Sequence, residues 1–152
     1  YNNITIERGQ APAPDAMVTE AASSFFEAAN HAPFEFSWTV TGDVPRSRGL
    51  GSSVTVRLGI LHALNHLASS PLDQEHLYRL CAALEGHPDN AAPAAFGGFA
   101  AARPDSVCFH CAVSRDLHFV LLVPDDEVKT DASRLRLPDR ISHADAVQNT
   151  AR

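Results

Sequence analysis

The feature that most constrains this chain is a loop of glycine and serine that leads directly into a long amphipathic segment. The loop has the sequence PRSRGLGSS and covers residues 45–53. Apolar residues follow it at helical spacing, which predicts a helix from about residue 52 to residue 68 with one buried face. The residues predicted to form that face are Val54, Leu58, Leu61 and Leu64.

The composition of the loop supports two interpretations. Gly49 and Gly51 let the backbone approach a ligand without interference from a Cβ atom, and a helix N-terminus favours a phosphate because its N–H groups are unpaired. Ser52 and Ser53 add hydroxyls that can cap the helix or bind a phosphate or Mg²⁺. The simpler alternative is a tight turn with Ser52 as the N-cap. No lysine follows the glycines, so the loop is not a Walker A motif.

Composition narrows the classes of function. The 152 residues carry a formal net charge of −6, and Lys129 is the only lysine. Nucleic acid is not expected as a partner, because binding to its phosphates requires clustered Lys and Arg. The apolar run FVLLV at residues 119–123 is far shorter than the ~20 residues that cross a bilayer, so no membrane partner is expected. The N-terminal YNN does not resemble a signal peptide, and the 3 cysteines are too few for a disulfide scaffold, so a cytoplasmic location is expected.

A second polar motif, EGHPDN, covers residues 85–90. It places two carboxylates, an imidazole and an amide around a glycine and a proline. One interpretation is a helix C-terminus with Glu85 in solvent and Asp89 or Asn90 as the next cap. The functional interpretation is a polar cluster on a stiff turn, with Glu85 available to Mg²⁺ and the other two available to a polar substrate.

Helices and strands are predicted to interleave along one domain. Helices are predicted over residues 17–30, over residues 52–68 and, after SSPLD, through residue 84. Strands are predicted at ITI near the N-terminus, over residues 34–40, over residues 107–113 and over residues 117–123. The alternating polarity of the strands favours the α+β class, with an antiparallel or mixed sheet packed on helices.

Both ends of the chain look as though they were cut. Tyr1 is not an initiator methionine, and Ser142 is predicted to cap a helix that runs to Arg152 without a glycine or proline to end it. We therefore expect an interior piece of a longer protein. A short natural chain with a frayed terminal helix is the alternative.

Together the two motifs resemble one known superfamily. PRSRGLGSS resembles the phosphate loop of the GHMP kinases, and EGHPDNAAPAAFGGF is similar to a segment of the homoserine kinases within it. TDASRLRLP resembles the family's segment with a substrate-binding arginine, and ISHADAVQNTAR resembles the start of the helix that leads into its C-terminal domain. The resemblance covers nearly all of this chain but only the middle of the family's length. Val54 occupies a position that the family usually fills with alanine.

The resemblance implies a fold, a reaction and cofactors. The fold is a truncated N-terminal GHMP kinase domain of the ribosomal protein S5 domain 2-like type over residues 1–140, and residues 141–152 begin the C-terminal domain. The reaction is transfer of the γ-phosphoryl group of ATP to the side-chain hydroxyl of L-homoserine, a step of threonine biosynthesis, with Mg²⁺ present. The isolated piece is expected to be inactive, and a homodimer is left open.

The resemblance also implies roles for individual residues. Those implied to bind ATP are Pro45, Arg46, Ser47, Arg48, Gly49, Leu50, Gly51, Ser52 and Ser53. Those implied to bind Mg²⁺ are Ser53 and Glu85. Asp89 and Asn90, the implied catalytic residues, would hold the amino group and hydroxyl of homoserine, Arg134 would hold its carboxylate, and His87 would orient the turn. A general base is left open, because an aspartate with an ordinary pKa of about 4 is a poor base for an alcohol.

Other hypotheses remain beside this one. The chain could belong to a GHMP kinase for a different small alcohol, or to a nucleotide-binding domain that does not catalyse. A zinc or redox module is suggested by the spacing of Cys108 and Cys111, but two further ligands are missing and the segment is predicted to be a strand. Buried structural cysteines are therefore favoured there.

Overall fold

The computed structural model describes residues 1–10, 15–46, 48–103, 106–123 and 138–150, with residues 106–108 described by their backbone alone. This part of the chain contains five helices and four strands. In chain order they are β1 (Asn2–Arg8), α1 (Ala16–Ala28), β2 (Phe36–Gly42), α2 (Ser52–Leu67), α3 (Gln74–Glu85), α4 (Ala91–Phe96), β3 (Phe99–Arg103), β4 (Ser106–Cys111) and α5 (His143–Thr150). The chain is therefore of the α+β class, as its sequence predicts.

The strands form two antiparallel pairs. In the first pair, β1 and β2 align Ile4 with Val40 and Ile6 with Trp38, so the apolar positions of both strands share one face. In the second pair, β3 and β4 run from Phe99 opposite Cys111 to a register shift after Ala101. Both pairs confirm the antiparallel arrangement that the alternating sequences indicate.

The core lies between the helices and the inner face of the first strand pair. Its largest fully buried side chains are Phe25 from α1, Ile60, Leu61 and Leu64 from α2, and Leu77 and Tyr78 from α3. Burial of such side chains stabilises a fold by about 1.5–3 kcal/mol each. Helix α2 is central, since it packs against α1, α3 and β1. The N-terminus of α2, where the glycine-serine loop ends, is thereby held in a fixed position.

A glycine allows α2 to lie close to β1. A Cβ atom at Gly59 would come within 2.7 Å of the Cδ1 atom of Ile4. Side chains in a close-packed interior cannot overlap in this way, so a larger residue would push the helix and the strand apart. The contact between Gly59 and Ile4 lies six residues beyond Ser53, the last residue of the loop, and places α2 close against β1 there.

Buried polar groups fix the helices further. The Asn65 side chain is buried, donates to the Leu72 carbonyl and accepts from the Leu72 N–H, so it closes the connection between α2 and α3. The Cys81 thiol donates to the Val54 carbonyl, and burial raises its pKa to about 12. A thiol in this state is protonated and inert at neutral pH.

Two predicted helix ends, at Gly86 and Ser142, are confirmed, and a side chain also caps the start of α3. Asp73 caps α3 by accepting from the His76 N–H, and this hydrogen bond lowers the pKa of the Asp73 carboxyl. Gly86 ends α3 in the left-handed conformation. Ser142 accepts from the Asp145 N–H at the start of α5, which confirms that predicted cap.

Several strand predictions need correction. Strand β4 ends at Cys111 and not at residue 113, and β3 is a strand that the sequence patterns do not predict. Residues 117–123 form no strand in the described part of the chain, and Phe119, Val120 and Leu122 are exposed there. An apolar run becomes a strand only where it pairs with another strand edge, and this segment pairs with none of the described strands. Strand β2 also begins at Phe36 and includes Gly42, whereas the alternation predicts residues 34–40.

Candidate nucleotide-binding site

The glycine-serine loop ends in a glycine with left-handed backbone geometry. Gly51 is the N-cap of α2 with φ 68° and ψ 28°, and Gly49 has φ 71°. A Cβ atom built on either glycine would meet nothing within 4 Å, so the space beside the loop is open. The prediction that Ser52 is the N-cap is wrong: Ser52 is the first residue of the helix, and no side chain caps α2.

The first turn of α2 leaves its backbone amides available. The first helical hydrogen bond joins the Thr55 N–H to the Gly51 carbonyl over 3.0 Å. Within the described residues, the N–H groups of Ser52, Ser53 and Val54 find no hydrogen-bond partner. Unpaired N–H groups at the positive end of a helix dipole form an anion-binding site.

Side chains hold this turn against the first strand pair. The Thr55 hydroxyl donates to the Ser52 carbonyl at 2.8 Å and accepts from the Asn2 side chain at 2.8 Å. The Val54 side chain is buried in the core and does not line the cavity described next. The departure from alanine at residue 54 therefore adds bulk to the core and leaves the site open.

A cavity of about 550 Å³ opens beside the loop. This volume lies within the ~300–1,000 Å³ typical of small-molecule sites. From the predicted ATP-binding set it is lined by Arg46, Arg48, Gly49, Leu50, Gly51, Ser52 and Ser53, and from the polar turn by Glu85, His87 and Asn90. The structure thus brings the two sequence motifs to one cavity.

Several residues that line the cavity belong to neither of the two sequence motifs. The apolar ones are Met17, Val18, Trp38, Val40, Val56 and Leu84, and the charged ones are Asp15 and Arg57. The apolar set adds hydrophobic side chains to a cavity whose other lining residues, apart from Leu50, are polar or glycine. Only the packing of α1, β2, α2 and α3 brings these residues together, so no local motif could have identified them.

The Glu85 carboxylate is buried beside the start of α2. Its side chain is 6% exposed, its Oε2 atom accepts from the Ser53 hydroxyl at 2.9 Å, and its Oε1 atom accepts from Arg57 Nη1 at 2.7 Å. The interpretation that places Glu85 in solvent at a helix end is therefore wrong. Arg57 also pairs with the exposed Glu20, with 3.1 Å between Nη2 and Oε2. The predicted Mg²⁺ ligands Ser53 and Glu85 lie in direct contact.

The turn after α3 presents its polar groups to the same region. Gly86 adopts φ 74°, and the next residue, His87, donates from Nδ1 to the Asp89 carboxylate at 2.8 Å. His87 is largely buried, whereas the Asp89 side chain is 63% exposed and does not line the cavity. Asn90 is the N-cap residue of α4, as one interpretation expects, but its side chain makes no capping hydrogen bond.

Oxygen ligands near the loop are those that Mg²⁺ prefers, but they are few. Mg²⁺ binds carboxylate and hydroxyl oxygens together with phosphate and water. Within the described residues, no cluster of three or more His, Cys, Asp and Glu side chains could hold a metal alone. The Ser53 hydroxyl and Glu85 carboxylate therefore fit a metal that arrives with its own phosphate ligands. Arg46 and Arg48 also line the cavity and add positive charge for phosphate oxygens.

Some predicted site residues remain outside this picture. Pro45 does not line the cavity. Ser47 and Arg134 lie outside the described residues, so the predictions for them stay predictions.

None of the helices in the described ranges is long and apolar enough to cross a membrane.

Comparison with known proteins gives consistent results. The GHMP kinases N terminal domain family matches residues 16–98. Homoserine kinases of several Staphylococcus aureus strains are 34% identical over 113 residues, which is 72% of this chain and 37% of theirs. The chain therefore spans less than half the length of these curated relatives.

Solved structures agree on the fold. The homoserine kinase of Cytophaga hutchinsonii superimposes with a TM-score of 0.66 at 23% identity, over 96% of this chain and 53% of that chain. A putative homoserine kinase of Listeria monocytogenes gives 0.64 at 24% identity, over 99% and 55%. At this identity the likeness concerns the fold.

Fold and site together define an α+β domain with a glycine-serine loop that lines a cavity at a helix N-terminus. The family match covers both the loop and the polar turn that share its cavity. The chain belongs to the GHMP kinases, of which it contains the N-terminal domain fold.

Proposed function

We propose that the protein transfers the γ-phosphoryl group of ATP to the side-chain hydroxyl of L-homoserine, giving O-phospho-L-homoserine. The observation that supports this most strongly is the set of backbone amides of Ser52, Ser53 and Val54, which have no hydrogen-bond partner among the described residues and lie beside a cavity that Glu85, His87 and Asn90 of the polar turn also line. The relatives reported above are named homoserine kinases, one of them as putative, and these names support the choice of substrate. Small-molecule partners, a cytoplasmic location and a role in threonine biosynthesis belong to the same proposal.

In this proposal the loop from Pro45 to Ser53 holds the phosphates of ATP. The helix N-terminus stabilises their charge, and Gly49 and Gly51 permit close approach of the backbone. Arg46 and Arg48 add positive charge at the edge of the cavity.

Ser53 and Glu85 are the proposed ligands of Mg²⁺, which when bound would neutralise charge on the phosphate oxygens. The Ser53 hydroxyl donates to Glu85 and keeps its lone pairs for another partner. The carboxylate therefore orients the hydroxyl whether or not metal is present.

The polar turn is proposed to hold the acceptor. Asp89 and Asn90 would bind the amino group and hydroxyl of homoserine, and Arg134 its carboxylate. His87 fixes Asp89 through its hydrogen bond and so orients the turn. Phosphoryl transfer depends on alignment and charge stabilisation, and orientation alone can supply about 7–11 kcal/mol of a barrier. Asp89 and Asn90 are accordingly assigned a positioning role toward the reacting hydroxyl, and no general base is assigned.

The same proposal extends to domain organisation. Residues 1–140 are assigned to the N-terminal GHMP kinase domain and residues 141–152 to the start of the C-terminal domain. Helix α5 buries none of its residues against the described part of the chain, as this division expects. A homodimer is a separate hypothesis that sedimentation would test.

The test is release of ADP by the complete gene product with ATP, Mg²⁺ and one acceptor at a time. Homoserine is expected to be phosphorylated much faster than mevalonate or galactose. Faster turnover of another acceptor would move the assignment to a different GHMP kinase. Nucleotide binding without turnover of any acceptor would indicate a non-catalytic domain.

Asn90→Leu tests the acceptor site. Loss of a hydrogen bond to a charged or reacting group costs about 1.5–3 kcal/mol, so the KM for homoserine should rise about tenfold or more. Asn3→Leu, a change at an exposed position of β1 outside the cavity, is the matched control and should leave the KM unchanged. Unchanged homoserine kinetics in Asn90→Leu would remove the turn from the substrate site.

A further inference from the structure

Arg57 makes contacts that the proposed reaction does not use. It lies one helical turn beyond Ser53 on α2, so both side chains occupy the same helix face. Its guanidinium bridges two carboxylates, donating from Nη1 to Glu85 and from Nη2 to Glu20. The Arg57 side chain is 16% exposed, Glu85 is 6% exposed and Glu20 is 57% exposed. The bridge therefore runs from the buried site to the surface.

The Glu85 carboxylate depends on this partner. An ionised carboxylate is strongly destabilised by burial unless a cation and hydrogen bonds compensate it. Among the described residues that line the cavity, Arg57 and Ser53 provide those contacts, one on each carboxylate oxygen. Arg57 thus fixes which oxygen faces Ser53, and it neutralises the charge that would attract a metal ion.

We propose that Arg57 is a positioning residue that holds Glu85 beside Ser53 and compensates its charge, so that the site binds a bare divalent cation only weakly. Within the described residues, Ser53 and Glu85 are the oxygen groups in direct contact here, and the carboxylate is already paired with Arg57. A metal bound between them would therefore need further ligands, which the phosphates of ATP would supply. This inference rests on the proposed function for its nucleotide, and it predicts that metal enters as the metal–ATP complex.

The test measures Mn²⁺ binding to the complete gene product by electron paramagnetic resonance without any nucleotide. Wild-type protein is expected to bind Mn²⁺ weakly. Arg57→Met leaves Glu85 without its cation, so the affinity for Mn²⁺ should rise about tenfold or more. Arg57→Gln, a shorter side chain that keeps a hydrogen-bond donor but no charge, should change the affinity in the same direction and serves if the methionine variant does not fold.

Two further variants separate positioning from a general charge effect. Arg79→Met removes an exposed arginine of α3 that pairs with Glu75, and should leave Mn²⁺ binding unchanged. Adding Glu85→Gln to Arg57→Met should abolish the gain, because the new site is the released carboxylate. A purely structural role of Arg57 would give neither the gain nor its reversal.

Three results would overturn the proposal. They are unchanged Mn²⁺ affinity in the folded Arg57 variants, a gain that persists in the Glu85→Gln background, and wild-type protein that binds Mn²⁺ as tightly without ATP as with it. The last is measured on wild-type protein and so applies whether or not a variant folds. Failure of wild-type protein to bind ATP would instead refute the proposed function, and the nucleotide-free comparison would still decide the role of Arg57.

Discussion

Gly51→Ala separates the conformational role of this glycine from its proposed role at the phosphates. Gly51 has φ 68°, a conformation that costs a residue with a Cβ atom about 1–2 kcal/mol. The added methyl group would meet nothing within 4 Å, so no packing is lost. The free energy of unfolding should therefore fall by about 1–2 kcal/mol, and the fold should persist.

The effect on ATP should be larger than this cost suggests. The methyl group would stand in the open space beside the amides of Ser52 and Ser53, where phosphate oxygens would have to approach. Displacing the phosphates from a charge-assisted hydrogen bond costs about 1.5–3 kcal/mol, which corresponds to a Kd for ATP about 10–150-fold higher. The same methyl group is thus expected to lower stability through backbone strain and to lower ATP affinity by obstructing the phosphates.

Urea denaturation would measure the stability of the variant, and isothermal titration calorimetry its ATP affinity. Gly86→Ala is the matched control, since Gly86 has φ 74°, has equally open space at its Cβ and does not line the cavity. It should lose similar stability with far less loss of ATP affinity. A folded Gly51→Ala protein with wild-type affinity would refute the assignment of this loop to the phosphates.

Other predictions concern the fold that supports the site. Because the pKa of Cys81 is raised to about 12 from 9.0, the unfolded state loses its proton first, and stability should fall by about 1.4 kcal/mol per pH unit above about pH 9. Urea denaturation between pH 8 and 10 should show that the free energy of unfolding depends less on pH in Cys81→Ala than in the wild-type protein. Cys111→Ala should keep the wild-type pH dependence. Asn65→Ala should lower the free energy of unfolding by about 2–4 kcal/mol in urea, because it leaves buried backbone groups unpaired. Gly59→Val should lower the melting temperature through overlap with Ile4, at a cost of about 1–3 kcal/mol; unchanged melting would contradict the close approach.

Much of the fold follows from local patterns in the sequence. The apolar periodicity of residues 52–68 predicts α2 to within one residue at its end, and the alternation around Trp38 predicts β2 with a small shift. Glycine and proline identify the end of α3. These features are determined by neighbours in the chain, so periodicity and turn chemistry are sufficient to find them.

Features that depend on packing cannot be predicted from local sequence patterns. The cap of α2 falls on Gly51 and not on Ser52, because both residue types start helices and only the backbone angle distinguishes them. Apolar residues 117–123 have the composition of a strand, but strand formation also requires a neighbouring edge. The local pattern carries no information about that edge.

The candidate site likewise combines features that the local sequence predicts with features that depend on packing. The two motifs that line the cavity are visible as short sequences, and their meeting is expected once the helices between them are predicted. The pairing of Arg57 with Glu85 joins residues on separate helices, so it depends on the packing of α2 against α3. Arg57 by itself is an ordinary charged residue in a helix.

The most direct test of the central claim is a nuclear magnetic resonance titration of the ¹⁵N-labelled complete gene product with Mg²⁺ and a non-hydrolysable ATP analogue. The account predicts that the backbone amide signals of Ser52, Ser53 and Val54 shift progressively and saturate with one common Kd, because these N–H groups gain phosphate oxygens as acceptors. Binding of the analogue that leaves these three signals unchanged and shifts amides elsewhere would contradict it.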